Sequence, residues 1–302
     1  MIDFKTPVYL QREEDNVYLL DMAEWMLDDD VWQPMEEILR IDKKCREILG
    51  YPIKGAIQPW VAPKDENRHS IRLRFQIESE IELEDVALAF EKAEEIVWNG
   101  QLVIQNNNDY YVDRAIKRLN MHGLAQGNNT LEIKVPITNC DGPESLYLLG
   151  DFDVVVSGCH KKIAAARRTI SFGNLVNQGM PFYGGNLSYI MNFETQKCSV
   201  KIHAWHYRGA VVKVILDGDF KGYIAFEPYE LLIENLEQGE HCLELILCGT
   251  RVNTFGCLHN ADTSIVRFGP PAWQSQQSAW SYEYRLWETG ILSSPIIEIL
   301  DK

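Results

Sequence analysis

The chain has 302 residues, 46% of them hydrophobic and 24% charged, which excludes wholesale disorder, collagen-like repeats and a single small module; at about 150 residues per domain it reads as two domains. Lysine and arginine number 29 against 44 aspartates and glutamates, a net charge of -15, and that field repels phosphate backbones and anionic bilayers, so no nucleic acid and no membrane is expected as a partner. Seven cysteines without a CxxC pair, no basic-then-apolar leader and no apolar run of about 18 residues point to a reducing, cytoplasmic setting.

Residues 1–60 open with the short apolar runs Val8-Tyr9-Leu10 and Val17-Tyr18-Leu19-Leu20, followed by the acidic turn Asp28-Asp29-Asp30. Met35 to Leu49 is the segment with helical spacing: Met35, Ile38, Leu39, Cys45, Ile48 and Leu49 recur at three and four, and Gly50 supplies a stop. From Ser70 the period becomes two. Ile71, Leu73, Phe75 and Ile77 share one face while Arg72, Arg74 and Gln76 take the other, the pattern of a half-buried antiparallel strand. Glu95 to Trp98, the pair Asn99-Gly100, and Gln101 to Ile104 then predict a hairpin, because Asn-Gly tolerates the positive φ of a type I′ turn.

The same order of signals returns after residue 180. Asn186 to Phe193 corresponds to Ser70 to Ile77, Val211 to Leu216 with Asp217-Gly218 and Asp219 to Ile224 forms a second hairpin, and Leu236 to Leu245 matches Leu124 to Ile133. An internal duplication predicts an all-β fold of two tandem antiparallel β-sandwich or jelly-roll domains with at most one or two short helices. The expected domains are 1–165, with an N-terminal extension 1–60 packed on it, and 166–302, the boundary falling near Cys159 to Arg168.

Trp98-Asn99-Gly100 or Leu216-Asp217-Gly218, then Tyr111-Val112-Asp113 or Pro228-Tyr229-Glu230, then Leu…Gly…Leu-Glu resembles the sugar-binding jelly-roll domain beside the catalytic barrel of glycoside hydrolase family 2. The likeness runs over Ser70 to Val156 and Pro181 to Gly249, and it implies a galactose-binding-like fold. Gln58-Pro59-Trp60, Leu148 to Phe152, Gln178 to Gly185 and Gly249 to Asn253 also look like the C-terminal sandwich region of large bacterial glycosyl-hydrolase proteins, some rhamnosidase-like. The resemblance implies an upstream catalytic domain as a partner and admits a structural calcium; no other cofactor is expected. Where that family has proline-histidine-histidine, this chain has Gly256-Cys257-Leu258-His259-Asn260.

Sugar binding asks for an aromatic face against a pyranose and planar polar side chains for its hydroxyls. Two loop segments offer both: Gln178 and Tyr183 in the glycine-rich run to Asn186, and Arg251, Asn253 and His259 in Gly249 to Asn260. Trp273 and Trp280 bracket the polar run from Gln274 to Ala279. The ligand-binding set expected from sequence is therefore Gln178, Tyr183, Arg251, Asn253, His259 and Trp273. Two alternatives stay open: Tyr183 plugs a domain seam, and Arg251 and Asn253 tie their loop to backbone carbonyls. Glycosidase chemistry needs two carboxylates about 5–9.5 Å apart, and among 44 acids no pair stands out, although Glu227 and Glu230 sit among aromatics. His203 and His206, three apart on a strand, face opposite sides and chelate nothing together. The expected function is a non-catalytic carbohydrate-binding or structural accessory part of a glycoside-hydrolase-like protein, with carbohydrate as the ligand. The alternatives are a stand-alone glycosidase and a protein-interaction module.

Overall fold

The computed structural model describes residues 1–52, 69–105, 109–262, 272–273 and 277–300; Gln58-Pro59-Trp60 and part of the polar run after Trp273 lie outside them. Among these residues the fold is all-β, with sheets that are antiparallel apart from a parallel pairing of His160–Ala165 with His69–Ser79, and two short helices, α1 (Ile38–Leu49) and α2 (Val252–Phe255). The chain divides into two compact units, Val17–Ala165 with Cys257–Arg285 and Ala166–Gly256 with Met1–Asn16 and Leu286–Lys302. The N-terminal residues join the 166–256 unit through sheet pairing: Val8–Arg12 lies against Leu187–Thr195 and Ile2–Asp3 against Ile296–Leu300.

In the 166–256 unit a six-stranded sheet runs Thr169–Ile170, Val8–Arg12, Leu187–Thr195, Gly239–Cys248, Val211–Leu216, Asp219–Ile224. A four-stranded sheet runs Ile2–Asp3, Ile296–Leu300, Cys198–His203, Glu230–Leu236. Tyr189, Val214 and Leu245 from the first meet Val200, Ile202 and Ile297 from the second in one core, and each such side chain contributes about 1.5–3 kcal/mol on burial. In the 17–165 unit the sheet built on His69–Ser79 and Gly127–Ile137 supplies Ile71, Leu73, Phe75 and Ile133 to the interior, and the sheet built on Leu83–Phe90 supplies Leu88 and Phe90. The alternation read from Ser70 onward is the alternation of burial along these strands.

The two units share a strand order. His69–Ser79 pairs with Gly127–Ile137, which pairs with Glu95–Trp98, which pairs with Gln101–Leu102. Leu187–Thr195, Gly239–Cys248, Val211–Leu216 and Asp219–Ile224 follow one another in the same way. Both hairpin turns carry two residues at positive φ, Asn99 at 48° and Gly100 at 80°, Asp217 at 55° and Gly218 at 83°, as a type I′ turn requires.

The helix begins later than its spacing suggests. Gln33–Glu37 is a strand, with Met22 opposite Glu37 and Ala23 opposite Glu36, and Glu37 caps α1 by accepting from the Leu39 and Arg40 amides. Hydrophobic period alone does not register this cap, so Met35 and Glu36 fall to the sheet. Gly50 ends the helix at φ 69°, its amide donating to Arg46 O.

Arg46 is wholly buried. Its guanidinium meets Asp42 Oδ2 at 2.8 Å and donates to the carbonyls of Thr138, Asn139 and Asp141 at 2.9–3.2 Å, fastening α1 to the loop after Gly127–Ile137. Arg46→Met is expected to lower stability by about 3 kcal/mol, because it strands a buried carboxylate and three carbonyls; urea unfolding of the variant beside the parent chain checks this.

Candidate functional site

Four of the sequence-selected residues lie in the 166–256 unit. Gln178 closes a short loop on itself, its amide donating to Ser171 O and accepting from Ser171 N, both at 3.0 Å. Tyr183 is buried and donates to Asn186 O at 2.6 Å. Arg251, at φ 58°, reaches Glu14 Oε1 at 2.6 Å, and Asn253, 1% exposed, donates to Trp287 O and accepts from Trp287 N at 2.8 and 2.9 Å. The two loops press together so closely that a Cβ on Gly249 would lie 2.0 Å from Gly184 O. Tyr183, Arg251 and Asn253 are thus gathered in one place, and the polar atoms named here meet protein partners.

His259 and Trp273 belong to the 17–165 unit. Trp273 is 39% exposed, and the preceding Ala272 carbonyl accepts from Asn260 Nδ2 at 2.7 Å. His259 turns inward to a network that joins distant parts of the chain. Its Nε2 lies 3.1 Å from Asp21 Oδ2 and its Nδ1 2.8 Å from Ser281 O. Asp21 Oδ1 accepts from Lys161 Nζ at 2.8 Å and from Tyr284 Oη at 2.5 Å, and Lys161 also donates to Leu19 O. The ring of His259 stacks on Trp280, which also meets Tyr282 edge to face at 4.2 Å and the Arg40 guanidinium, 4.4 Å from its centroid. Tyr282 and Arg40 both donate to Glu36 Oε1.

The network separates its acids. Burial pushes the Asp21 pKa up, but the Lys161 charge and the His259 and Lys161 hydrogen bonds outweigh it and hold the group far below the carboxylate range. Glu36 is opposed by burial too, yet bonds from Arg40, Lys44 and the Glu37 amide bring it to about 2. Glu37 goes the other way, raised to about 7 chiefly by burial with the Asp21 charge adding, against its bonds from the Leu39 and Arg40 amides. Burial lowers Lys161 against the pull of Asp21. A split pair of carboxylates is what acid–base chemistry uses; here Asp21 has three donors on its two oxygens and Glu37 is occupied as a helix cap.

A cluster of exposed aromatics lies on the outward face of the six-stranded sheet. One cross-strand row is Tyr223, Lys213, Ile246, Ser188, Gln11, and its neighbour is Phe220, Ile215, Glu244, Ile190, Tyr9. Phe220, Tyr223 and Tyr9 are 53%, 54% and 69% exposed. The Phe220 and Tyr223 rings meet edge to face at 5.1 Å, with Lys213 Nζ 5.6 Å from Phe220. Residues three apart on a regular strand face opposite ways, which hides this pair from a sequence reading. A register shift between Val214 and Ile215 leaves Lys221 unpaired and brings Phe220 and Tyr223 to one face.

The acidic turns are occupied. Asp28 meets His69 Nδ1 at 2.6 Å and the Ser70 amide at 3.0 Å, and Asp29 meets Arg72 and Lys134 at 2.5 and 3.2 Å. Among the described residues, no group of three or more His, Cys, Asp or Glu is placed to hold a metal ion, and no helix is long and apolar enough to cross a membrane.

No family model matches the sequence, and no curated protein does. Among solved structures, a rhamnosidase from Novosphingobium sp. PP1Y is 15% identical, with 85% of this chain and 26% of that one covered at a TM-score of 0.31. A β-D-mannosidase from Dictyoglomus thermophilum is 14% identical, with 78% and 31% covered at 0.28. An anti-sigma factor domain-containing protein is 9% identical, with 76% and 89% covered at 0.24. The chain spans between a quarter and a third of the two glycosidases it overlaps.

Asp21→Asn is expected to cost about 3–5 kcal/mol, because it removes the charge that compensates buried Lys161. Tyr284→Phe, which removes one donor to Asp21 and one acceptor of Lys161 but leaves the ion pair, is expected to cost about 1–2 kcal/mol. Chemical denaturation of the two variants distinguishes these magnitudes.

Proposed function

We propose that the 166–256 unit binds carbohydrate on the outward face of its six-stranded sheet, and that the chain serves as a non-catalytic, carbohydrate-binding part of a glycoside-hydrolase-type protein. The observation that carries this reading is the Phe220–Tyr223 pair, two rings more than half exposed and side by side on a sheet face. Exposed aromatic surface on a charged chain marks a contact surface, and ring faces suit the C–H side of a pyranose. Lys213, Glu244 and Gln11 in the same rows supply donors and acceptors for hydroxyls. With neighbouring strands about 4.8 Å apart, the face from Tyr9 to Phe220 crosses four strand spacings, room for an oligosaccharide rather than one sugar.

The non-catalytic part of the proposal draws on the occupied state of Asp21 and Glu37, and the accessory role on the motif resemblance to family 2 sugar-binding domains. Isothermal titration against a panel of neutral and acidic oligosaccharides is expected to give binding heats with at least one member. Phe220→Ala with Tyr223→Ala is expected to weaken that binding about tenfold or more, from roughly 0.5–1.5 kcal/mol per lost ring contact. Heats absent across the panel, or unchanged in the double variant, overturn the assignment.

A further inference from the structure

Both hairpin turns are locked by the same hydrogen bonds, made with different chemistry. In the 17–165 unit the Asn99 amide donates to Thr130 O at 2.9 Å, Asn99 Oδ1 accepts from the Thr130 amide at 2.8 Å, and Asn99 Nδ2 donates to Asn129 Oδ1 at 2.9 Å. Asn129 Nδ2 in turn donates to Ala125 O at 2.7 Å. In the 166–256 unit the Asp217 amide donates to Cys242 O at 2.9 Å and Asp217 Oδ1 accepts from the Cys242 amide at 2.8 Å. Asp217 Oδ2 lies 2.7 Å from His241 Nδ1, and His241 Nε2 lies 2.9 Å from Glu237 O. Position for position, a neutral amide pair is replaced by an aspartate and a histidine.

The replacement fixes a proton. A carboxylate and a backbone carbonyl only accept, so both ring nitrogens of His241 must donate, and only the imidazolium has a hydrogen on each. The neutral ring leaves one of these two contacts as two facing acceptors. We propose that Asp217 and His241 form a proton-dependent lock on the hairpin of residues 211–224, which sets the aromatic face of Phe220 and Tyr223, so that ligand binding there holds under mildly acidic conditions and weakens as the lock deprotonates in alkali. The second half of this proposal rests on the carbohydrate reading; the lock itself does not.

The charged groups about the ring are Asp217, Lys221, which acts on Asp217 while paired with Asp219 at 3.3 Å, and the Lys197–Glu237 ion pair at the residue whose carbonyl it meets; on the neighbouring strand the uncharged Phe193 ring packs at 5.5 Å. Burial works against the charge on His241, but the Asp217 hydrogen bond, the Glu237 carbonyl and the Asp217 charge prevail and raise its pKa above the ordinary 6.5. Burial likewise opposes ionised Asp217, and its bonds from His241 and the Cys242 amide carry it below 3.8. A raised histidine gives stability that is complete below about 6.5 and lost as pH climbs through the folded value; a depressed aspartate gives stability complete above about 4 and lost as pH falls through its folded value. The lock is therefore strongest between about pH 4 and 6.5.

The test is a ring-nitrogen NMR titration of His241 in the full chain, with a histidine peptide in the same buffer as reference. Imidazolium shifts persisting to a midpoint above the peptide's are expected; a midpoint at or below it overturns the lock. Asp217→Asn with His241→Asn installs the amide pair of the other unit and keeps the turn. Amide exchange at residues 217 and 242, corrected for the intrinsic rate, is expected to lose protection from pH 6 to 9 in the parent chain and to lose none in the double variant; the same loss in both overturns the lock. If a sugar binds, its affinity should follow the same contrast. A raised midpoint with no sugar binding leaves the lock standing and removes only the carbohydrate reading.

Discussion

The structure depends on the pairing of long central strands whose side chains alternate with period two. Gly127–Ile137 lies along His69–Ser79 from Gly127 opposite Ser79 to Ile137 opposite His69, and Gly239–Cys248 lies along Leu187–Thr195 from Gly239 opposite Thr195 to Leu247 opposite Leu187. A slip of one residue in either pair would turn Ile71, Leu73, Phe75 and Ile77, or Leu243, Leu245 and Leu247, from the core to solvent. The registers are consequently held at the ends, where positive-φ turns and their side-chain hydrogen bonds fix which residue faces which. Everything outward, including the aromatic rows, takes its position from these inward commitments.

A second constraint is the burial of charge. Asp21, Lys161 and His259 lie inside the 17–165 unit, and Arg46 with Asp42 fastens α1 there. Burying such groups costs free energy that opposite charges and hydrogen bonds offset; Asp21 meets three donors, and Asp42 meets Arg46 through Oδ2. Polar groups grouped around a histidine and aromatics resemble an active centre by composition, and in this structure Asp21 meets Lys161, His259 and Tyr284. The proposed contact surface lies instead on the sheet face where Phe220 and Tyr223 stay more than half exposed.

Much of the architecture was legible in the sequence. The Asn99-Gly100 and Asp217-Gly218 hairpins, the half-buried strand from Ser70 and the stop at Gly50 each express a local rule of backbone conformation, and each stands in the structure. The start of the helix was not, because a capping glutamate and a strand pairing compete with hydrophobic spacing over Met35 and Glu36. Long-range partners were not either: His259 meets Asp21 across 238 positions and Tyr284 meets it across 263, separations at which no periodicity speaks. Glycine-rich loop composition left Tyr183 and Asn253 open to a surface or a buried place, and in the structure the glycines permit close backbone approach and both residues are buried. The facing of Phe220 and Tyr223 needed knowledge of a bulge.

The central claim is that the ligand meets a sheet face defined by strand register rather than the glycine-rich loops. Amide chemical-shift mapping of the full chain against a binding oligosaccharide tests it most directly. The account predicts shifts concentrated at Lys213, Tyr223, Ile246 and their row neighbours across the six-stranded sheet. Shifts confined to residues 178–186 and 249–256, or to the surroundings of Trp273 and Tyr282, would contradict it.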